Sequence, residues 1–226
     1  MATQHLDIDY GDARVTALLD TPATPTMAYV LAHGAGAGKA HAFLETVAAR
    51  LVSRDVAVLR YNFPYMDAGR SRVDPVEITS GVVRAAVAQM QRLLPGVPCF
   101  AGGKSFGGRM TSEAQSRDPM PGLRGLAFFG FPLHPPDKPG TTRATHLANV
   151  HIPMLFLQGD RDEFARMDLL NGVVATLPSA TLVVEPDGDH SFAVRKKITG
   201  KGASQVMDSL IDAWCNWATR VASSAP

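Results

Sequence analysis

The chain has 226 residues, enough for one full α/β core and too few for two domains that each bury a core of their own. Lysine and arginine total 22 against 21 aspartates and glutamates, a balance that gives no footing for a nucleic-acid or membrane-surface partner. Two cysteines, Cys99 and Cys215, exclude a disulfide scaffold, no apolar run reaches membrane-spanning length, and the opening MATQHLDIDYGD lacks the layout of a signal peptide, so a soluble, cytoplasmic protein is expected.

HLDIDY and ARVTALLD, parted by a Gly-Asp turn signal, predict an opening hairpin. MAYVLAHG is a nearly unbroken apolar run, the pattern of a strand buried on both faces. Between Ala40 and Arg54 the spacing changes, and Phe43, Val47 and Leu51 form one stripe of a helix. VAVLRYNF predicts another buried strand. Asp74, Pro75 and Glu77 then have the pattern of a helix start, with Asp74 as N-cap, Pro75 at N1 and Glu77 reaching back, for a helix that runs to about Leu94 and stops at Pro95-Gly96.

The alternation repeats. PCFAGG predicts a strand, Ser105 to Arg117 a helix, LRGLAFFGF and IPMLFLQG two strands, ARMDLLNGVVATL a helix and TLVVEP the last strand. Val206, Leu210, Trp214 and Trp217 mark a final helix. This order predicts one three-layer α/β/α domain over residues 1–226, with a mostly parallel central sheet and an antiparallel N-terminal hairpin. The stretch from Phe131 to Pro153 is rich in proline and threonine and leaves no place for a helical lid.

Residues 102–108 read GGKSFGG. A phosphate loop ending in Gly103-Lys104-Ser105 needs its first glycine at position 98, which is Pro98. The pattern G-x-S-x-G is met in full by Gly103, Ser105 and Gly107, between a predicted strand and a predicted helix. A serine at its ordinary pKa is a poor nucleophile and needs a base that is itself oriented by an acid. His190 in GDHSF is the candidate base and Asp162 in GDRDEF the candidate acid, giving the chain order serine, aspartate, histidine.

Asp160 shares the acid's loop, with a turn cap or an ion pair to Arg161 as its alternative role, and Asp187 and Asp189 are expected to shape the loop of His190. For the oxyanion, the candidate donors are the N–H groups of Phe106, at the start of the helix, and Ala35 in HGAGAG, where His33 braces the loop. All these motifs follow apolar strands, at the sheet edge where such folds hold their ligands.

Other chemistries lack their residues. A dinucleotide fingerprint from Gly34 or Gly36 would need glycine where Lys39 and His41 stand. The histidines show neither HxH nor HExxH spacing, so neither cofactor nor metal is expected. Phe131 and Phe192, like Phe106, either line an acyl pocket or belong to the core. Arg109, one turn into the nucleophile helix, either meets an anionic substrate group or pairs with an acidic side chain. Tyr65 and His134 complete the candidates for substrate contact.

HGAGAG, GGKSFGGRM, GFPLHPP, MLFLQGDRDEF and GDHSF together resemble the compact α/β-hydrolases related to dienelactone hydrolases. The closest resemblance is to the family typified by the testis-expressed α/β-hydrolase-like protein and the α/β-hydrolase-like region of a histone-acetyltransferase-complex subunit. It extends from about Met27 to Thr219 and implies an α/β-hydrolase fold, a triad of Ser105, Asp162 and His190, and an oxyanion hole at Ala35 and Phe106. Dienelactone hydrolases use a cysteine where this chain has Ser105. The resemblance therefore implies cleavage of a small-molecule carboxylic ester or thioester through an acyl-enzyme, the alternative being a non-catalytic interaction module on the same scaffold.

Overall fold

A computed structural model describes residues 2–224. Its strands are β1 (Ala2–Tyr10), β2 (Ala13–Thr21), β3 (Met27–Ala32), β4 (Val56–Tyr61), β5 (Cys99–Lys104), β6 (Leu123–Phe129), β7 (Met154–Gly159) and β8 (Ala180–Glu185). They form one sheet in the order β1-β2-β4-β3-β5-β6-β7-β8. β1 and β2 pair antiparallel with Tyr10 opposite Ala13, so Gly11-Asp12 is a two-residue turn, and Gly11 takes the left-handed φ of 57° that such turns demand. β2 joins β4 antiparallel, and β3 to β8 run parallel. The predicted hairpin and three-layer sheet are both present.

The helices are α1 (Ala42–Val52), α2 (Pro64–Asp67), α3 (Val76–Leu93), α4 (Phe106–Arg117), α5 (Met167–Ala175), α6 (Lys196–Thr199) and α7 (Ala203–Ser223). α1 and α7 cover one face of the sheet, and α3, α4 and α5 the other. β3 shows why its sequence lacks alternation: Tyr29 and Leu31 pack with Leu44, Leu51 and Trp214, whereas Ala28, Val30 and Ala32 pack with Val83, Ala86 and Met110. Trp214 anchors the α7 side, its ring 5.1 Å from that of Tyr29 and 5.7 Å from that of Phe100.

Two local details differ from the sequence reading. α3 begins at Val76 with Pro75 as its N-cap, so Asp74 does not cap it. The buried Asp74 carboxylate instead accepts the Tyr65 N–H at 2.8 Å and pairs with Arg70 at 2.7 Å, because the chain between α2 and α3 folds back and its buried amide needs an acceptor. Glu77 reaches α4 and pairs with Arg117 at 3.3 Å.

Between β6 and β7 there is no lid. That stretch holds a 3-10 helix, Thr142–Asn149, lying on α4. Among the described residues, no helix is long and apolar enough to cross a membrane. Nor do these residues contain a group of three or more histidine, cysteine or acidic side chains placed to hold a metal. The C-terminal ends of β3, β5, β7 and β8 meet at one edge of the sheet, with no lid between β6 and β7.

Candidate active site

The nucleophile candidate sits at the break between β5 and α4. Ser105 has φ 50° and ψ −115°, a conformation that L-residues adopt only when their surroundings enforce it. Its N–H donates to Phe129 O at 3.1 Å, and its carbonyl accepts the Arg109 N–H at 3.1 Å, so the strand and the helix both hold it. The flanking glycines allow β3 to lie against this turn. A Cβ at Gly103 would stand 2.4 Å from Ala32 O, and one at Gly107 would stand 2.5 Å from His33 O. No side chain fits either place without moving backbone.

β8 delivers His190 to the same point from 85 residues away, with its Nε2 2.9 Å from Ser105 Oγ. The other ring nitrogen, Nδ1, lies 2.7 Å from Asp162 Oδ2 on the loop after β7. A carboxylate only accepts, so Nδ1 carries the proton, and Nε2 is left to accept the serine hydroxyl. Two further donors hold Asp162, which is buried. Gln158 Nε2–H bonds Oδ2, and the Phe164 N–H bonds Oδ1 at 2.8 Å. The Gln158 amide is oriented in turn, because its Oε1 accepts the Phe131 N–H at 2.8 Å.

Asp160 does not take part. Its side chain is exposed and makes no hydrogen bond or ion pair with any other described residue, and Arg161 pairs with Asp187 at 3.0 Å rather than with its neighbour. Asp187 also holds Arg195, while Asp189 Oδ1 accepts the N–H groups of Ser191 and Ala193 at 2.8 and 2.9 Å. These carboxylates shape the histidine loop from within.

The HGAGAG loop touches the serine: a Cβ on Gly34 would lie 3.8 Å from Ser105 Cβ. Neither the Ala35 N–H nor the Phe106 N–H has a partner among the described residues. His33 is the brace of this loop. Burial pushes its pKa down to about 4, so it is neutral, with Nδ1–H donating to Gly34 O at 2.8 Å and Nε2 accepting the Phe63 N–H at 3.0 Å.

Three of the residues read as substrate contacts have other surroundings. Phe131 is fully buried, its ring 5.4 Å from Phe128 and 5.6 Å from Phe156, because Gly130 (φ 68°) turns the chain inward there. Tyr65 is not on a rim either: it is buried beneath the HGAGAG loop, 5.8 Å from the His33 ring. His134 braces the acid loop, its Nε2 accepting the Arg166 N–H at 2.9 Å and its Nδ1–H donating to Pro135 O at 2.8 Å. Arg109 pairs with Glu113 at 3.4 Å. Phe192 remains beside the site, stacked on Phe43 at 6.1 Å, while Phe106 is half-buried against Phe63.

Sequence reasoning missed Gln158, Phe164 and Lys104. Gln158 had a signal, since a lone polar residue closing an apolar strand must find a partner. Phe164, whose ring lies 4.4 Å from that of His190, had none.

A three-layer α/β/α sheet with a serine turn of positive φ after β5 defines a class, and comparison with known families places the chain in it. A model described as "Alpha/beta hydrolase domain" matches residues 25–219, and the chain belongs to that family. Among solved structures, it is similar to an α/β serine hydrolase without lid from Xanthomonas campestris (TM-score 0.75, 19% identity, 99% of this chain and 97% of that one). It is also similar to a dienelactone hydrolase from Anabaena variabilis (TM-score 0.76, 17% identity, 97% of each chain). A third is the esterase domain of a Rhodothermus marinus protein (TM-score 0.72, 17% identity, 97% of this chain and 99% of that one). At these identities the likeness is one of fold.

Proposed function

We propose that the protein is a serine hydrolase that cleaves carboxylic esters or thioesters of small molecules through an acyl-enzyme. The observation that carries this reading is the unbroken relay from Asp162 through His190 to Ser105, at 2.7 and 2.9 Å, ending on a serine held at positive φ. Ser105 Oγ attacks the carbonyl carbon as its proton passes to His190 Nε2, and Asp162 balances the imidazolium so formed. The carbonyl oxygen becomes an oxyanion, for which the free N–H groups of Ala35 and Phe106 are the available donors. Collapse expels the alcohol or thiol, which takes the proton from His190. Water then repeats the sequence on the acyl-serine, releasing the acid and restoring the hydroxyl.

The dienelactone hydrolase and the esterase domain that share this fold support ester cleavage as the reaction class. Kinship with the testis-expressed and acetyltransferase-subunit family belongs to the same reading and rests on the sequence motifs. A purely scaffolding protein would have no use for a strained serine or for two unmatched N–H groups beside it. A fluorophosphonate probe tests the assignment: it is expected to label Ser105 stoichiometrically, with the adduct located by peptide mass spectrometry. An adduct on any other residue, or none, would overturn it.

A further inference from the structure

We propose that Lys104 is a positioning residue, which reaches from the nucleophile turn to the loop after β8 and holds the His190 main chain so that the imidazole stays against Ser105. This rests on the serine-hydrolase reading above. Lys104 Nζ donates to His190 O at 2.6 Å. Its stem follows the HGAGAG loop, since a Cβ on Gly34 would lie 3.7 Å from Lys104 Cγ. Its tip lies at the end of β6, where a Cβ on Gly130 would stand 2.9 Å from Nζ and 3.4 Å from His190 Nδ1. One side chain thus connects the ends of β3, β5, β6 and β8.

The setting is costly for an ammonium group. Nζ lies to one side of the stacked Phe43 and Phe192 rings, 5.8 and 5.7 Å from their centroids, and it forms no ion pair among the described residues. The charged and titratable groups that face it are Asp162 from the β7 loop and Asp189 and His190 from the β8 loop. The β3 loop, β6 and α1 offer only Gly34, Gly130 and Phe43. Burial pushes the Lys104 pKa down to about 8, against the upward pull of Asp162 and Asp189.

A base whose folded pKa is depressed destabilises the fold while it must stay charged, and the cost fades as pH rises from about 8 towards 10.5.

The test compares the wild type with Lys104→Met, Lys104→Gln and Lys104→Arg on a neutral short-chain p-nitrophenyl ester, reading kcat, KM, the pH profile and Tm. Misplacement of the base should lower kcat in Lys104→Met by about 10- to 100-fold, with KM changed less than about twofold. Its Tm at pH 7 should not fall. Lys104→Arg, which keeps a charged donor at this place, should recover part of the lost kcat. The wild type should lose activity as pH rises through about 8, as the bond to His190 O loses its charge, and Lys104→Met should lack that step.

Wild-type kcat in Lys104→Met, or a loss of activity near pH 8 that persists in that variant, would overturn the proposal. So would failure of both Lys104→Met and Lys104→Gln to fold, which would mark the lysine as structural. If the fluorophosphonate label reaches Ser105 and these variants behave as wild type, only the role of Lys104 falls. If the label does not reach Ser105, both readings fall.

Discussion

Ser105→Ala is expected to lower kcat on an activated ester by about 10⁶-fold, the loss seen when the serine of a protease triad is removed. The methyl group fits where the hydroxymethyl was, so the loss measures chemistry, provided the positive φ at residue 105 is tolerated by alanine as it is by serine. Residual turnover above the uncatalysed rate should persist, because the Ala35 and Phe106 donors remain. Turnover within tenfold of wild type, with the melting temperature unchanged, would remove Ser105 from the mechanism. Far-UV circular dichroism and thermal melting on the same preparations separate a folding defect from a chemical one.

Asp162→Asn should cost on the order of 10⁴ in kcat. The reason lies in counting donors. His190 Nδ1–H and Gln158 Nε2–H both bond Oδ2, and the Phe164 N–H bonds Oδ1. A carboxylate accepts from all three with its two oxygens, but an amide has one oxygen, and its NH₂ must face a donor whichever way it turns. Either the imidazole loses its correct tautomer or a buried N–H is left unmatched, at about 1–3 kcal/mol of stability, and in both arrangements the charge that balances the imidazolium is gone. Asp160→Asn, two residues away, should change kcat by less than tenfold, since its exposed carboxylate holds nothing among the described residues. Reversal of that ranking would move the acid to Asp160.

The elements that sequence analysis placed correctly are those governed by local rules. A strand buried on both faces must be apolar throughout, as MAYVLA is, and a turn against which β3 packs must be glycine at positions 103 and 107. The chain order of Ser105, Asp162 and His190 was legible because each follows a recognisable strand end. What escaped notice depends on contacts between distant segments. Asp74 has the local form of an N-cap, yet the buried Tyr65 N–H claims its carboxylate. For Phe131 the sequence left a pocket place and a core place both open, and the left-handed Gly130 sends its ring into the core. His134 and Phe164 meet the acid loop and His190 through packing with no periodicity to betray it. Lys104 stood inside the motif that drew attention first, and nothing in GGKSFGG says that its ammonium ends on a carbonyl 86 residues later.

The missing lid also bears on how this protein meets poorly soluble compounds. A covered catalytic centre must open before each encounter, and such an opening step often limits the rate. Here the 3-10 helix of residues 142–149 lies on α4, and no lid between β6 and β7 has to swing aside. Droplets and dissolved monomers of the same ester should therefore be handled alike, with velocity following free monomer and levelling off at the solubility limit instead of rising there. A long hydrocarbon tail that nothing encloses would forfeit the ~0.8 kcal/mol that each methylene gains on burial. Selection by such a mouth acts on the few atoms nearest the reacting carbonyl, and the rest of the molecule goes unread.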